Sequence, residues 1–99
     1  MTDAYEFTAE VWEWSARASW FFVTLPADVG EEIKARFGGQ AAGFGSLKVE
    51  ATIGTSTWST SVFPESDGDS YVLPLKKPVR TKEHLDVGDT AAVRIRLLV

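Results

Sequence analysis

The sequence predicts a mainly β fold: a small closed six-stranded β-barrel with one α-helix near residues 26–37. Three observations carry this expectation. The segment Thr90 to Val99 alternates, with Val93, Ile95 and Leu97 on one face and Arg94 and Arg96 on the other. That is the pattern of a half-buried strand. Five further short segments carry strand patterns, and one segment, opening at Pro26, spaces its apolar residues for a helix. Unpaired strand edges invite aggregation, and closing six short strands into a barrel removes them. The 99 residues suit one domain over 1–99 and not two.

The first strand is expected over Tyr5 to Trp14, with Phe7, Ala9 and Val11 on one face and Glu6, Thr8 and Glu10 on the other. Ser15 to Ser19 is small and polar and reads as a connection. Trp20 to Leu25 is apolar on both faces. Such a strand needs cover on both sides, from a helix, a partner or a ligand. Pro26 ends it and can open a helix, since its missing N–H is not needed in the first turn. Asp28, Glu31 and Glu32 sit early in that helix and Lys34 and Arg36 late, which complements its dipole. Val29, Ile33 and Phe37 form its apolar stripe, and Gly38-Gly39 stop it. Residues 40–46 are a glycine-rich connection. Leu47 to Ile53 and Thr57 to Phe63 are strands joined through Gly54-Thr55 as a hairpin. Pro64 to Asp69 is a dense turn signal. Tyr71 to Leu75 is the fifth strand, residues 78–84 form a short helical turn, and Thr90 to Val99 closes the fold. The expected core is Phe7, Val11, Phe21, Val23, Ile33, Val49, Ile53, Val93 and Ile95. A barrel this small fills its interior with side chains, so a ligand belongs at a rim or on the outer face.

Charge and composition exclude several chemistries. The net charge of −4 argues against broad nucleic-acid binding, which calls for a basic footprint. It is unevenly spread, and the basic residues of the second half cluster in Lys76, Lys77, Arg80 and Lys82. There is no cysteine, hence no disulfide and no thiol chemistry. Met1 to Glu6 lacks the basic and apolar regions of a signal peptide. The strongest apolar run, Trp20 to Val23, is far short of a membrane span. A cytoplasmic protein with no membrane association is the resulting expectation. One histidine, His84, cannot furnish a zinc site. Glu65 to Asp69 resembles part of a calcium loop but lacks its spacing and terminal Glu, and reads as a solvated turn. No cofactor or metal is expected. The Gly38–Ser46 segment has the outer glycine spacing of a phosphate loop. Phe44 then stands where Lys is required, Gly45 where Ser or Thr is required, and the segment follows a helix instead of opening one. No G-x-S-x-G elbow is present, and the hydroxyls of residues 55–61 suit a strand.

Two features remain as candidate sites. In Tyr71 to Arg80, two prolines fix the backbone around two lysines. Held rigidly, Lys76, Lys77 and Arg80 can grip a carboxylate or phosphate, with Trp20 and Trp58 as flat apolar walls. The same segment also suits a solvated bend whose lysine stems cover apolar surface. Trp12 and Trp14 lie opposite Val11, either exposed as an interface or covered by the helix or the N-terminal loop. The leading expectation is a non-enzymatic binding or interaction module, monomer or homodimer. Its basic rim would serve a small anionic ligand or a protein partner. Two alternatives stand beside it. One is a DNA-binding or antitoxin-like barrel, whose binding would weaken steeply with salt. The other is an enzyme of unknown reaction using Arg80, Asp89 or His84 in acid–base work, groups that nothing in the sequence positions together.

Four phrases occur in a distinctive order: Trp20-Phe21-Phe22-Val23-Thr24-Leu25-Pro26, Gly54-Thr55-Ser56-Thr57-Trp58-Ser59-Thr60-Ser61, Tyr71-Val72-Leu73-Pro74-Leu75-Lys76-Lys77-Pro78-Val79-Arg80, and Val87-Gly88-Asp89-Thr90-Ala91-Ala92-Val93. In that order and spacing the chain resembles the bacterial family called domain of unknown function 1905, from about Tyr5 to Val99. The resemblance implies a small closed β-barrel with one helix. It supplies no activity and no catalytic residues. In many relatives such a barrel precedes a second domain of the YdeI/OmpD-associated, bacteriocin-protection type. The likeness of the Gly88-Asp89 closing strand to antitoxin-type barrels is one of fold alone.

Overall fold

The computed structural model describes residues 3–16, 20–65 and 70–99. The expected connection over 15–19 and turn over 64–69 therefore fall partly outside the described residues, at 17–19 and 66–69. The partial calcium-loop likeness lies largely there too.

Among the described residues the fold has seven strands and two α-helices. The strands are β1 (Ala4–Glu10), β2 (Trp12–Glu13), β3 (Phe21–Thr24), β4 (Leu47–Ile53), β5 (Ser56–Pro64), β6 (Tyr71–Pro74) and β7 (Thr90–Leu97). The helices are α1 (Ala27–Phe37) and α2 (Lys77–Lys82). The strands form one antiparallel sheet in the order β1-β7-β4-β5-β6-β3-β2, strongly curled into a half-barrel. This corrects the expected closed six-stranded barrel on both counts, closure and strand number.

The reason lies at Val11. The expected first strand runs out of partner there, because Glu10 already pairs with Thr90, the first residue of β7. The Val11 N–H bonds Asp89 O at 2.9 Å, and its carbonyl accepts the Gly88 N–H at 2.9 Å. Gly88 has φ +90, a conformation glycine adopts without steric cost. Past this point Trp12 pairs with Phe22 of β3, so the chain has passed from one end of the sheet to the other. The two terminal strands are successive pieces of one stretch of chain.

Inside the curl lies a single core. Seven of the nine expected core residues, Val11, Val23, Ile33, Val49, Ile53, Val93 and Ile95, are buried, whereas Phe7 and Phe21 are half-buried against it. Leu25, Leu47, Val62, Leu73, Leu75 and Leu97 join them, with Ala51, Ala91, Phe37 and Tyr71. Each such aliphatic side chain contributes about 1.5–3 kcal/mol relative to exposure.

Helix α1 follows its sequence pattern with one small change: Pro26 caps it instead of opening it. Ile33 and Phe37 are buried and Val29 is half-buried. The Gly38-Gly39 stop takes the form of a tighter 3₁₀ turn over Gly38–Gln40. The helix lies close to the sheet at Gly30. A Cβ there would overlap the Ser70 hydroxyl and come within 2.8 Å of Ser70 Cα. Ser70 is itself fixed, since its hydroxyl donates to Leu25 O at 2.7 Å. At the far end, Arg36 donates to the Tyr5 hydroxyl at 2.7 Å and ties α1 to β1.

Helix α2 is held by a latch. The Glu83 carboxylate accepts hydrogen bonds from Ser56 Oγ at 2.6 Å and Thr55 Oγ1 at 3.2 Å, both on the β4–β5 hairpin. Gly54, at φ +58, admits this approach, because a Cβ there would overlap the carboxylate. The Ser56 hydrogen bond is the main influence holding the Glu83 carboxyl below its ordinary value, against a smaller opposing effect of desolvation.

Two outcomes follow from these contacts. Gly30→Ala lowers the urea midpoint, through a stability loss of about 1–3 kcal/mol from overpacking, although alanine is the better helix former. Gly39→Ala, with open space around it, does not. Glu83 has a folded-state value below its unfolded one, so its stabilisation is present at neutral pH and is lost as pH falls through the folded value. Glu83→Gln therefore flattens the acid limb of the stability profile as pH falls below the ordinary carboxylate range, measured by thermal melts.

Candidate functional site

Strand β3 is apolar on both faces, and only one face reaches the core. Phe21 and Val23 point into the curl, where Val23 is fully buried. Phe22 and Thr24 point outward. The register aligns the outward residues of neighbouring strands into rows. Trp12 faces Phe22, and Phe22 faces Pro74. Thr24 faces Val72, and Val72 faces Phe63. At the other side of the first row, Trp14 N–H donates to Trp20 O at 2.9 Å, and Leu75 N–H donates to Phe21 O at 2.9 Å. The latter bond carries the β3–β6 pairing one residue further, to Phe21 and Leu75. Lys76 follows, exposed, with φ −70 and ψ 150.

The aromatic rings of this outer face pack on one another. Trp12 stacks on Phe22 with centroids 5.0 Å apart, and Trp14 meets Trp20 edge-on at 5.9 Å. Trp20 also lies 6.4 Å from Phe22. Trp12 is pinned by its indole N–H, which donates to Thr24 Oγ1 at 2.9 Å. Together with Phe63, Pro64 and Glu65 they bound a cleft of about 730 Å³, within the roughly 300–1,000 Å³ of small-molecule sites. No residue of α1 lines it. Of the pair Trp12 and Trp14, Trp14 is 42% exposed and Trp12 is half-buried, stacked on Phe22 and not under the helix; Trp20 is 47% exposed.

The structure divides the five residues singled out from the sequence. Trp20 lines the outer cleft. Lys76 and Lys77 are exposed at the start of α2 and are not among the residues that bound the cleft. Arg80 is occupied elsewhere. Its Nε donates to Leu75 O at 3.3 Å, and its guanidinium lies 3.7 Å from the centroid of the Phe21 ring. It braces β3 against α2 from the other side of the sheet. Trp58 is on the inner side too, paired with buried Ala51 and packed on the core. Its indole N–H is buried with no acceptor among the described residues. Asp89 accepts the Asp86 N–H at 2.8 Å, and His84 is exposed at φ +56. Among the described residues, no three His, Cys, Asp or Glu side chains gather as metal ligands, and no helix is long and apolar enough to cross a membrane.

The face also uses residues that the sequence did not single out: Phe22, Phe63, Val72 and Pro74. A signal for Phe22 existed, since the two-sided apolarity of Trp20 to Leu25 demanded cover on both sides. Phe63, Val72 and Pro74 join it only through strand register.

The fold is that of a small β half-barrel carrying an aromatic cleft on its outer surface. The profile described as Domain of unknown function (DUF1905) matches residues 7–95, and the chain belongs to this family. No curated protein matches it.

The pin at the cleft wall has a measurable size. Trp12→Phe removes the donor to Thr24 and costs about 0.5–1.5 kcal/mol in urea unfolding. Thr24→Val costs a similar amount, and the double variant is less destabilised than the sum of the two singles, which identifies the pair as coupled.

Proposed function

We propose that the chain is a non-enzymatic binding module that takes a small anionic ligand with a flat apolar body on the outer face of β2, β3 and β6. The observation that carries this is the exposed Trp14–Trp20 pair lining the outer cleft, with exposed Lys76 directly after Leu75, whose N–H bonds Phe21 O. Trp20 supplies the apolar wall, and Lys76 the charge for a carboxylate or phosphate. Lys77, next in the chain, adds a second cation at the same edge. Arg80 acts as a positioning residue, since its hold on Phe21 and Leu75 O fixes the backbone on which Trp20 and Lys76 stand. Trp58 lies outside this site.

Magnitudes order the contributions. A well-packed aromatic pair adds about 0.5–1.5 kcal/mol beyond the area it buries. An exposed ion pair adds about 0.2–1 kcal/mol. The wall therefore supplies most of the affinity, and the lysine selects the anion.

Naphthoate and its neutral analogue naphthamide probe this reading directly. In proton–nitrogen spectra, naphthoate shifts the indole signals of Trp12, Trp14 and Trp20 and leaves that of Trp58 unmoved. Trp20→Ala weakens binding about tenfold. Lys76→Gln removes a two- to fivefold preference, roughly, for naphthoate over naphthamide. Shifts confined to Trp58 or to the Glu6–Arg94 surface, or no shifts at all, would refute the assignment.

A further inference from the structure

We infer that the molecule has a second binding site, a cavity between the end of α1 and the 43–45 turn, and that it takes a small monocarboxylate with a short alkyl chain. The site is independent of the outer-face reading, because none of Trp14, Trp20, Lys76, Lys77 and Arg80 lines it.

Tyr71 is the starting observation. It is only 4% exposed, yet its phenol hydroxyl has no hydrogen-bond partner among the described residues. Burial pushes the phenol above its ordinary value, so at neutral pH it keeps its proton and stays a donor. The large majority of buried polar side-chain atoms are paired, and one that is not calls for a use. Tyr71 lines a cavity of about 260 Å³.

The other walls bring a cation and an apolar surface to the same space. The Gly38 N–H bonds Lys34 O at the end of α1. A Cβ on Gly38 would lie 3.7 Å from Lys34 Cγ, so the lysine stem passes this bare glycine, and both residues line the cavity. Lys34 forms no ion pair among the described residues. Facing α1 is the 43–45 turn. Phe44 and Gly45 are successive left-handed residues, at φ +63 and +76, a conformation strained for a residue with a side chain. The turn sets Gly45 against Pro64, where a Cβ would come within 2.9 Å of Pro64 Cγ. Gly45, Pro64 and Ala41 thereby wall the cavity. Backbone strain of this kind concentrates at functional sites.

The donors select the ligand. One ammonium and one phenol hydroxyl match the two oxygens of a carboxylate. A phosphate carries more oxygens and more charge than these groups satisfy. The Ser70 hydroxyl, also in the lining, cannot supply the difference, because its proton goes to Leu25 O at 2.7 Å. Ala41, Pro64 and the tyrosine ring suit an alkyl chain. The chain is short, since the cavity falls below the roughly 300–1,000 Å³ of drug-sized ligands. The Glu65 carboxylate accepts the Ser70 N–H at 3.3 Å and bounds the outer cleft, not this cavity.

Titration of the full chain with sodium propionate, followed in proton–nitrogen spectra, tests the site. Propionate shifts the backbone amides of Gly38, Ala41, Gly45 and Tyr71 saturably, with a dissociation constant of about 1 mM, as suits so small a ligand. Its neutral isostere propionamide and inorganic phosphate leave those amides in place. Lys34→Gln and Tyr71→Phe each weaken propionate about fivefold or more. Because the phenol lacks an internal partner, Tyr71→Phe keeps the parent's urea midpoint in the absence of propionate. It loses only the rise in midpoint that propionate gives the parent, whereas a purely structural tyrosine would lower the midpoint in both conditions. Shifts that do not saturate or that fall on other surfaces, propionamide or phosphate acting as well as propionate, or a Tyr71→Phe variant that binds like the parent overturns the inference. Naphthoate is read separately at the tryptophan indoles, so failure here leaves the outer-face reading standing.

Discussion

The passage of the chain through Val11 is the constraint on which the rest of this structure depends. Residues 4–10 complete one end of the sheet against β7, and residues 12–13 complete the other end against β3. Between them Val11 is buried and fixed by two backbone hydrogen bonds to the 88–89 turn. One residue thus anchors both terminal strands and the loop that feeds the last strand. The curl of the sheet, the seating of α1 over its concave side and the position of Trp12 and Trp14 all follow. A sheet that curls this strongly has one face filled by aliphatic side chains and a convex face left to water or to a partner.

That division explains the aromatic cleft. Strand β3 cannot bury Phe22 and Val23 in the same core, since successive side chains point to opposite faces. Val23 goes inward, and Phe22 is left on the convex side. There the register brings it neighbours of the same character from β2, β5 and β6. Their mutual packing withdraws part of each ring from water while leaving the edges of Trp14 and Trp20 exposed. The pin from the Trp12 indole to Thr24 satisfies a donor that an apolar wall would otherwise strand, which matters because an unpaired buried N–H costs about 1–3 kcal/mol.

The basic segment divides for a related reason. Lys76 is extended and Arg80 is helical, so their side chains leave the backbone in different directions although only four residues separate them. The Leu75 carbonyl and the Phe21 ring capture Arg80. Its guanidinium, planar and weakly hydrated, suits stacking on a ring better than an ammonium would. Lys76 remains exposed. The Glu83 latch to the β4–β5 hairpin holds α2, and through it the bend that presents the lysine.

The sequence by itself determined the local elements. The β4–β5 hairpin turns at Gly54-Thr55, α1 spans one residue less than its pattern, and β7 shows the alternation that places Val93 and Ile95 inside. Periodicity and turn chemistry act over a few residues, so they are legible along the chain. The sequence also marked Trp12, Trp14, Trp20 and Lys76, through exposed aromatic alternation and a proline-bracketed basic pair. Only the tertiary structure decided that the first strand breaks at Val11, because the break arises from where β7 begins, at Thr90, far along the chain. It alone decided that Arg80 faces a ring, that Trp58 turns toward the core, and that Phe63, Val72 and Pro74 share a surface with the tryptophans. Those outcomes depend on inter-strand register, and register is set by distant segments meeting in space, which no local pattern encodes.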